Sequence, residues 1–520
     1  MFKTQIRYVG GVKIQNNGQN AKIDKFLEDK HLIVASNRGP VEFHKRDDGN
    51  IETRRGAGGL VSTLLPIMET VNGTWIASAM TEGDVEVARK FPGYRVPFPE
   101  DKPKFWVPFV VVDPERYKEY YSVISNPLLW FVQHYMWNPP YTPEIDDSIH
   151  KAWKNGYDYV NRKFADKVIE EAKINGKEAM IMLQDYHLYL CPTYIREKLG
   201  DIFLNQFIHI PWPQPEYFCI LPNYMEESII KGLLANDIIG FHIKKYVNNF
   251  LRTCEPYVDN VDFKKGTLDY EGRKILVKDY PISVDDKGLK ELSKTDEVLE
   301  KEKTINEIKG DCFLIYRTDR ADLSKNIIRG FRAYDDFLEK HPEFHGKVKF
   351  LTTGKPTRQQ IKEYRAYRME IHKIVGYINA KYSKEGWKPI EEIFKADYLL
   401  VTAAFKHYDC LMVNPICDGM NIVSKEGSVV NENGGVLILS EHAGSYEELK
   451  DYSLNVNPFD ITQTSEAIYQ AVTMGQKERK RRLNGIKKIV SERNIYHWIT
   501  DQFDDIETHY SENSSNCNRN

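Results

Sequence analysis

The stretch Cys410-Leu-Met-Val413-Asn-Pro-Ile-Cys-Asp418-Gly-Met-Asn421-Ile-Val-Ser-Lys425-Glu426 reads as a short strand, a turn of small and polar residues, and the start of a helix. Cys410–Val413 is apolar without alternation, the pattern of a strand covered on both faces. Gly419 beside Asp418 and Asn421 leaves the backbone N–H groups of the helix start pointing over the turn, where phosphate or sugar oxygens fit. An ordinary N-capped helix would read the same way. Glu426 lies about two helical turns beyond Asp418 and near the same face. One carboxylate can meet one end of a ligand and the other a second part, which describes a long polar ligand with hydroxyls at both ends.

The same grammar recurs along the chain. Apolar runs predict strands over Leu32–Ser36, Thr74–Ser78, Trp106–Val112, Ala179–Leu183, Gln206–Ile210, Asp237–Phe241, Lys274–Val277, Phe313–Arg317, Val348–Thr352, Tyr398–Thr402, Cys410–Val413 and Val436–Ser440. Amphipathic stretches such as Asp158–Ala172, Lys325–Lys340 and Arg358–Lys381 predict helices between them, and this alternation makes parallel βαβ units. A chain of 520 residues exceeds what one core organises. The charged stretch Asp285–Lys309, with few apolar anchors, places the expected boundary near residue 285, and the polar tail 511–520 is expected to be disordered.

Composition narrows the function class. Hydrophobic content of 41% and charge of 28%, with 31 Tyr and 24 Phe, describe a globular chain, and a net charge of −3 gives no electrostatic footprint for nucleic acid. The seven cysteines are scattered and never form a CxxC pair, which argues against a disulfide framework and a zinc site. No signal-peptide core opens the chain and no run approaches the ~20 apolar residues of a membrane span. A cytoplasmic protein with no membrane partner is the expectation.

Ligands of doubly wound sheets gather at the carboxyl ends of the strands. Strand Leu32–Ser36 runs into Asn37-Arg38, a long polar loop, and Arg54-Arg-Gly-Ala-Gly58-Gly59, whose glycines permit close approach of an anion. Strand Ala179–Leu183 ends at Asp185, placed to accept from a sugar hydroxyl. Strand Gln206–Ile210 carries His209, placed to donate to an oxygen at the reacting carbon, and Pro211, Pro213 and Pro215 stiffen the turn after it. Arg320 and Lys325 bracket a helix start with Ser324 as the expected cap, a diphosphate clamp that needs no metal. No Asp-x-Asp, HExxH or Walker sequence competes with it.

Asn37-Arg38, Gly58-Gly59-Leu60, Asp185-Tyr-His187, His209-Ile-Pro-Trp-Pro213, Arg320-x4-Lys325, Asp418-Gly-Met-Asn421 with Lys425-Glu426, and Leu439-Ser-Glu-His-Ala-Gly444 occur in the order found in trehalose-6-phosphate synthases, glycosyltransferase family 20. The chain resembles that family from about residue 31 to 508. The resemblance implies a GT-B fold of two Rossmann-like doubly wound domains facing a cleft. The expected domains are residues 1–285, for the acceptor, and 286–495, for the nucleotide sugar, with a helix over 496–510, carrying Trp498, that crosses back to the first. It implies a nucleotide-glucose donor, usually UDP-glucose, a glucose 6-phosphate acceptor, retention of configuration, and no metal or other cofactor. Homo-oligomerisation is left open. By matching motif, Arg320 and Lys325 would hold the diphosphate and Glu426 the ribose, while Asp418, Gly419, Met420, Asn421 and Ile422 would hold the transferred glucose and phosphates. Gly58 and Gly59 would approach the donor, and His209 and Asp185 would face the reacting sugars. Arg38, Tyr121 and Arg358 would take the acceptor phosphate, with Trp130 against the acceptor ring.

Two departures stand out. Trp75-Ile-Ala-Ser78-Ala-Met80 has serine where the family pattern W-x-G-W-S-G has its second tryptophan, and Arg320-Ala-Asp-Leu-Ser-Lys325-Asn326 replaces Arg-Leu-Asp-Tyr-Ser-Lys-Gly. These details are similar to the pseudoglycosyltransferase branch that makes validoxylamine phosphate from a nucleotide-cyclitol, which is the second reading. A glucosylglycerol-phosphate synthase and a silent regulatory subunit are further ones; the last would be marked by loss of the clamp or of Glu426, and both are kept.

Overall fold

A computed structural model describes residue 23 and residues 25–56, 59–174, 178–394 and 397–517. Its strands are β1 (Lys30–Ser36), β2 (Val41–Lys45), β3 (Ile51–Arg55), β4 (Thr74–Ser78), β5 (Arg95–Phe98), β6 (Phe105–Val110), β7 (Glu178–Gln184), β8 (Phe203–Phe207), β9 (Ile238–Phe241), β10 (Asn260–Asp262), β11 (Thr267–Tyr270), β12 (Arg273–Asp279), β13 (Phe313–Arg320), β14 (Val348–Lys355), β15 (Ile390–Ile393), β16 (Cys410–Val413), β17 (Val436–Ser440) and β18 (Leu454–Val456). The chain divides into one unit made of residues up to Gln133, Trp137–Pro281 and Tyr496 onward, and a second made of Ile282–Ile495 with His134–Met136.

The first unit carries a sheet ordered β10-β11-β12-β9-β8-β7-β1-β4-β6-β5. From β12 to β6 every pairing is parallel, and antiparallel strands close both edges. In β1, β4, β7 and β8 the buried residues run consecutively, as helices on both faces require. Chain direction across the sheet reverses between β1 and β7, which makes their carboxyl ends a switch point. The terminal helix Ile495–Cys517 packs on this unit. Trp498 is buried with its ring 5.0 Å from Phe207, and Asp505 takes Lys278 at 2.7 Å and the Tyr280 hydroxyl at 2.9 Å. The helix runs on to Cys517, so of the tail expected to be disordered only residues 518–520 lie outside the described residues.

The second unit carries a wholly parallel sheet, β15-β14-β13-β16-β17-β18, whose switch point falls between β13 and β16. Two layers of buried side chains cover it, one around Phe331, Phe337 and Phe350 and one around Tyr316, Phe405 and Leu437.

Three local readings are corrected. Tyr398–Thr402 belongs to a helix, Tyr398–His407, started by Asp397, whose side chain accepts from Leu400 N. A short apolar run does not distinguish a strand from a buried helix, and here the cap and the ten-residue length decide. The polar loop after β1 is a hairpin of β2 and β3, drawn tight where the N–H of Gly56 meets Pro40 O at 2.7 Å and a Cβ on Gly56 would strike Gly39 O. Asp285–Lys309 forms helices Asp286–Leu292 and Asp296–Lys309, whose Val298 and Ile305 are buried in the second unit, and the division falls between Pro281 and Ile282.

Candidate active site

The second unit's switch point is built from charge. At the end of β13, Arg317 is buried and donates to Asp319 through Nε (3.1 Å) and Nη2 (2.8 Å), while Nη2 also reaches Lys325 O at 2.9 Å. Asp322, not Ser324, caps the 3-10 turn Leu323–Lys325. Its carboxylate accepts from Ser324 N and from the Ser324 hydroxyl, both at 3.1 Å, which uses up the serine. Burial opposes the Asp322 charge, but Arg358 and Arg320 outweigh it and hold the carboxyl below its usual range. Arg358, with φ of 48° in the left-handed region, is buried and gives Nη1 to Asp322 at 3.1 Å and to the Tyr364 hydroxyl. Arg320 stands 3.8 Å from Asp322 with its side chain half-exposed.

Lys325 turns across the switch point and pairs with Asp418, which also accepts from Asn421 Nδ2 at 3.0 Å. Asn421 has φ of 65°, and the turn it closes lies directly on the 442–445 segment. Gly444 N donates to Asp418 O at 3.1 Å and Ser445 N to Met420 O at 2.8 Å. A Cβ on Gly444 would come within 2.0 Å of Gly419 O, so only glycine allows that approach. Ile422 is the N-cap position of helix Val423–Val430, whose N-terminus therefore rises from the turn that holds Asp418. Two neighbouring side chains on this helix diverge in role. Lys425 is buried and anchored by Glu448 at 2.6 Å and Ile282 O at 2.8 Å, and burial lowers its pKa. Glu426 is half-buried, accepts from the Tyr398 hydroxyl at 3.0 Å, and has its carboxyl pushed up to about 7 by burial.

The first unit's switch point is built from neutral groups and stacked rings. Asn37, after β1, accepts from the Ser78 hydroxyl at 2.9 Å and donates to the Tyr117 hydroxyl at 3.3 Å. Tyr117, Tyr121 and His187 form a stack, with centroids 5.7 Å apart at 9° and 5.9 Å apart at 6°. Arg38 lies beside Tyr121 and donates to Glu42 at 3.3 Å. Trp130 is buried with its ring 5.7 Å from Tyr186.

After β7, Asp185 adopts φ 72° and ψ 175°, a region that is almost exclusively glycine's. The conformation turns its carboxylate to accept from His209 N at 3.2 Å and brings Oδ2 to 3.9 Å from His187 Nδ1. His209 lies 3.0 Å through Nε2 from Gln184 Oε1, and burial pushes its pKa down to about 3. The ring is neutral at physiological pH, so one of its nitrogens donates and the other accepts. Trp212 fixes the neighbouring segment, donating to Thr253 at 3.0 Å and accepting from Asn249 at 2.9 Å.

The structure brings Arg320, Lys325, Asp418, Gly419, Met420, Asn421, Ile422, Glu426 and Arg358 to the carboxyl ends of one sheet, and Arg38, Tyr121, Trp130, Asp185 and His209 to the other unit. Gly59 opens helix Gly59–Val71, and Gly58 lies outside the described residues. Sequence reading missed Arg317, Asp322, Tyr117 and Tyr398. Asp322 sits inside the quoted Arg320–Lys325 motif, whereas Tyr117 and Tyr398 belong to no motif. Among the described residues no group of three His, Cys, Asp or Glu is arranged as a metal site, and no helix is long and apolar enough to cross a membrane.

Two Rossmann-like units, with a basic switch point at the foot of a helix N-terminus in the second, define a GT-B glycosyltransferase. The family model "Glycosyltransferase family 20" matches residues 30–508, and the chain belongs to that family. It is 30% identical over 474 residues to alpha,alpha-trehalose-phosphate synthase [UDP-forming] A of Dictyostelium discoideum, covering 90% of this chain and 61% of that protein. The Candida albicans alpha,alpha-trehalose-phosphate synthase [UDP-forming] is 30% identical over 464 residues, covering 86% of this chain and 91% of its own. Among solved structures, the Burkholderia vietnamiensis alpha,alpha-trehalose-phosphate synthase (UDP-forming) matches with a TM-score of 0.79 and 25% identity over 93% of this chain and 99% of that one. An E. coli structure described as bound with UDP-2-fluoro glucose gives 0.79 and 27% over 91% and 98%.

Proposed function

We propose that the chain transfers glucose from UDP-glucose to glucose 6-phosphate with retention and without a metal, giving α,α-trehalose 6-phosphate. The observation that carries this reading is the Lys325–Asp418 pair at the N-terminus of helix Val423–Val430, with Arg320 beside it and Glu426 one turn further along. A sugar-facing carboxylate, then cations and helix N–H groups, then a second carboxylate match the sugar, diphosphate and ribose along a nucleotide sugar. The UDP-forming relatives and the structure with a UDP-glucose analogue support the donor, and a Burkholderia xenovorans synthase described in complex with glucose-6-phosphate supports the acceptor.

Arg320, Lys325 and the N–H groups after Ile422 take the diphosphate, and Asp418 with the backbone of Gly419, Met420 and Asn421 takes the glucose hydroxyls. Asp185 accepts through its carboxylate and His209 meets the sugars as a neutral ring, and both orient sugar hydroxyls. Arg38 and Tyr121 take the acceptor phosphate and Trp130 backs the acceptor ring, while Asp322 keeps the Arg358 guanidinium oriented in the second unit. As the C1–O bond to the diphosphate breaks, the leaving phosphate oxygen accepts the proton of the attacking hydroxyl on the same face. The protein supplies positioning and charge stabilisation of an oxocarbenium-like state rather than a carboxylate nucleophile.

The test is incubation with glucose 6-phosphate and UDP-, ADP- or GDP-glucose, with and without EDTA, and identification of the product. Trehalose 6-phosphate at an EDTA-insensitive rate is expected with UDP-glucose. Ser78, where the family has its second tryptophan, favours the cyclitol reading second, and tight UDP binding without trehalose phosphate from any donor would replace the first reading with it.

A further inference from the structure

Glu426 is an unusual carboxylate for its position. It is half-buried, its pKa is raised by burial, and among the described residues no lysine, arginine or histidine pairs with it. A partly desolvated acid without a cation costs folding free energy, and such a cost persists where a ligand uses the group. It lies near the carboxyl end of β13, close enough to Tyr316 to raise that residue's pKa along with burial. Its side-chain partner in the structure is the hydroxyl of Tyr398, which donates to Oε1 at 3.0 Å.

Tyr398 is placed for this contact by local structure alone. Asp397 caps the helix through Leu400 N, which fixes Tyr398 as the first helical residue; the residue is 44% exposed as a whole, and burial of its hydroxyl end raises its pKa. A tyrosine that contributes so little to the core has its hydroxyl directed at the one carboxylate that the donor reading assigns to the ribose. With Oε1 engaged by Tyr398, the carboxylate keeps acceptor capacity for an incoming hydroxyl.

We propose that Tyr398 is a positioning residue for the ribose end of the donor: it holds the Glu426 carboxylate in one orientation, and the site thereby selects a ribonucleoside diphosphate over its 2′-deoxy counterpart. The proposal rests on the reading that Glu426 takes the ribose. A fixed carboxylate gains a strong hydrogen bond from the 2′-hydroxyl and is left unsatisfied when that hydroxyl is missing, which is how a polar site rejects a deoxy analogue. Released from Tyr398, the carboxylate rotates toward solvent and the difference between the two ligands shrinks.

Calorimetric titration of the full chain with UDP and with 2′-deoxy-UDP tests this, using the wild type, Tyr398→Phe and Glu426→Gln. The wild type should prefer UDP. Tyr398→Phe should weaken UDP binding by about tenfold, the size of one charge-assisted hydrogen bond, and bring the two ligands close to equal affinity. Its thermal midpoint without ligand should stay close to the wild-type value, since the ring and its contacts are kept. Glu426→Gln should also remove the preference. If Glu426→Gln removes it and Tyr398→Phe leaves it intact, the role of Tyr398 is overturned while the donor reading stands. If Glu426→Gln leaves it intact, or the wild type binds neither ligand, the ribose assignment fails and the proposal falls with it.

Discussion

The two switch points share a topology and differ in chemistry. In the second unit, Arg317, Asp319, Arg320, Asp322, Lys325, Arg358 and Asp418 form a web of alternating charges at the ends of β13 and β16. In the first unit, the ends of β1 and β7 present Asn37, a stack of Tyr117, Tyr121 and His187, a neutral His209, and Asp185 held in a strained backbone. The charged one suits a ligand that gains negative charge during reaction, as a leaving diphosphate does, and the neutral one suits hydroxyls that need orientation. Function in the second unit should therefore depend on charge, and in the first on geometry.

The largest effect should come from removing charge. Lys325→Ala or Arg320→Ala should lower kcat/KM by roughly 10²–10³, the usual loss for one transition-state contact, and near-normal steady-state rates in both would break the comparison on its charged side. Next is Lys425→Ala, which empties a buried site and leaves the half-buried Glu448 without its partner. It should destabilise by about 3–5 kcal/mol in chemical denaturation. A loss near that of a surface substitution would show that the helix carrying Glu426 does not depend on this anchor.

On the neutral side, Asp185→Ala and Asp185→Gly remove the same carboxylate and differ only in tolerance of φ 72°, ψ 175°. The glycine variant should be the more stable of the two by about 1–3 kcal/mol, with both poorly active. Equal stabilities would mean that the backbone stores no strain there.

The smallest effect is a pH-dependent one at Glu426. Its folded pKa of about 7 lies above the ordinary carboxylate value, so the folded state binds more protons than the unfolded chain between the two. Its contribution to stability therefore falls as pH rises through that window. Glu426→Gln should melt a few degrees above wild type near pH ~8, and the gain should vanish by about pH 5. Nucleotide affinity should move the other way in the wild type, weakening as pH falls through about 7 and the carboxylate acceptor is protonated.

Much of the fold and the donor side was legible in the chain. Runs such as Ile33–Ala35 and Met180–Leu183, buried on every residue, announced parallel strands, and Asp418–Glu426 announced the strand–turn–helix unit that carries the donor side. The features that failed to read are those that local pattern does not encode. Tyr398–Thr402 is apolar enough for either state, and a cap one residue before it decided. Ser324 looked like a cap until Asp322 took both the turn and the serine hydroxyl. Tyr117 and Tyr398 belong to no motif because the hydroxyl of each bonds a residue distant in sequence, Asn37 in one case and Glu426 in the other.

The sequence by itself determined the fold class, the two-unit plan and the ordered motifs of the family, because hydrophobic period and turn chemistry are local properties that short stretches carry alone. Only the tertiary structure decided which groups are charged and which way they face. It made His209 neutral by burial, tied Arg358 to Asp322, joined Lys325 to Asp418, and set Glu426 beside Tyr398. Protonation and orientation depend on burial and on partners brought together from far along the chain, and those exist only once the sheets have formed.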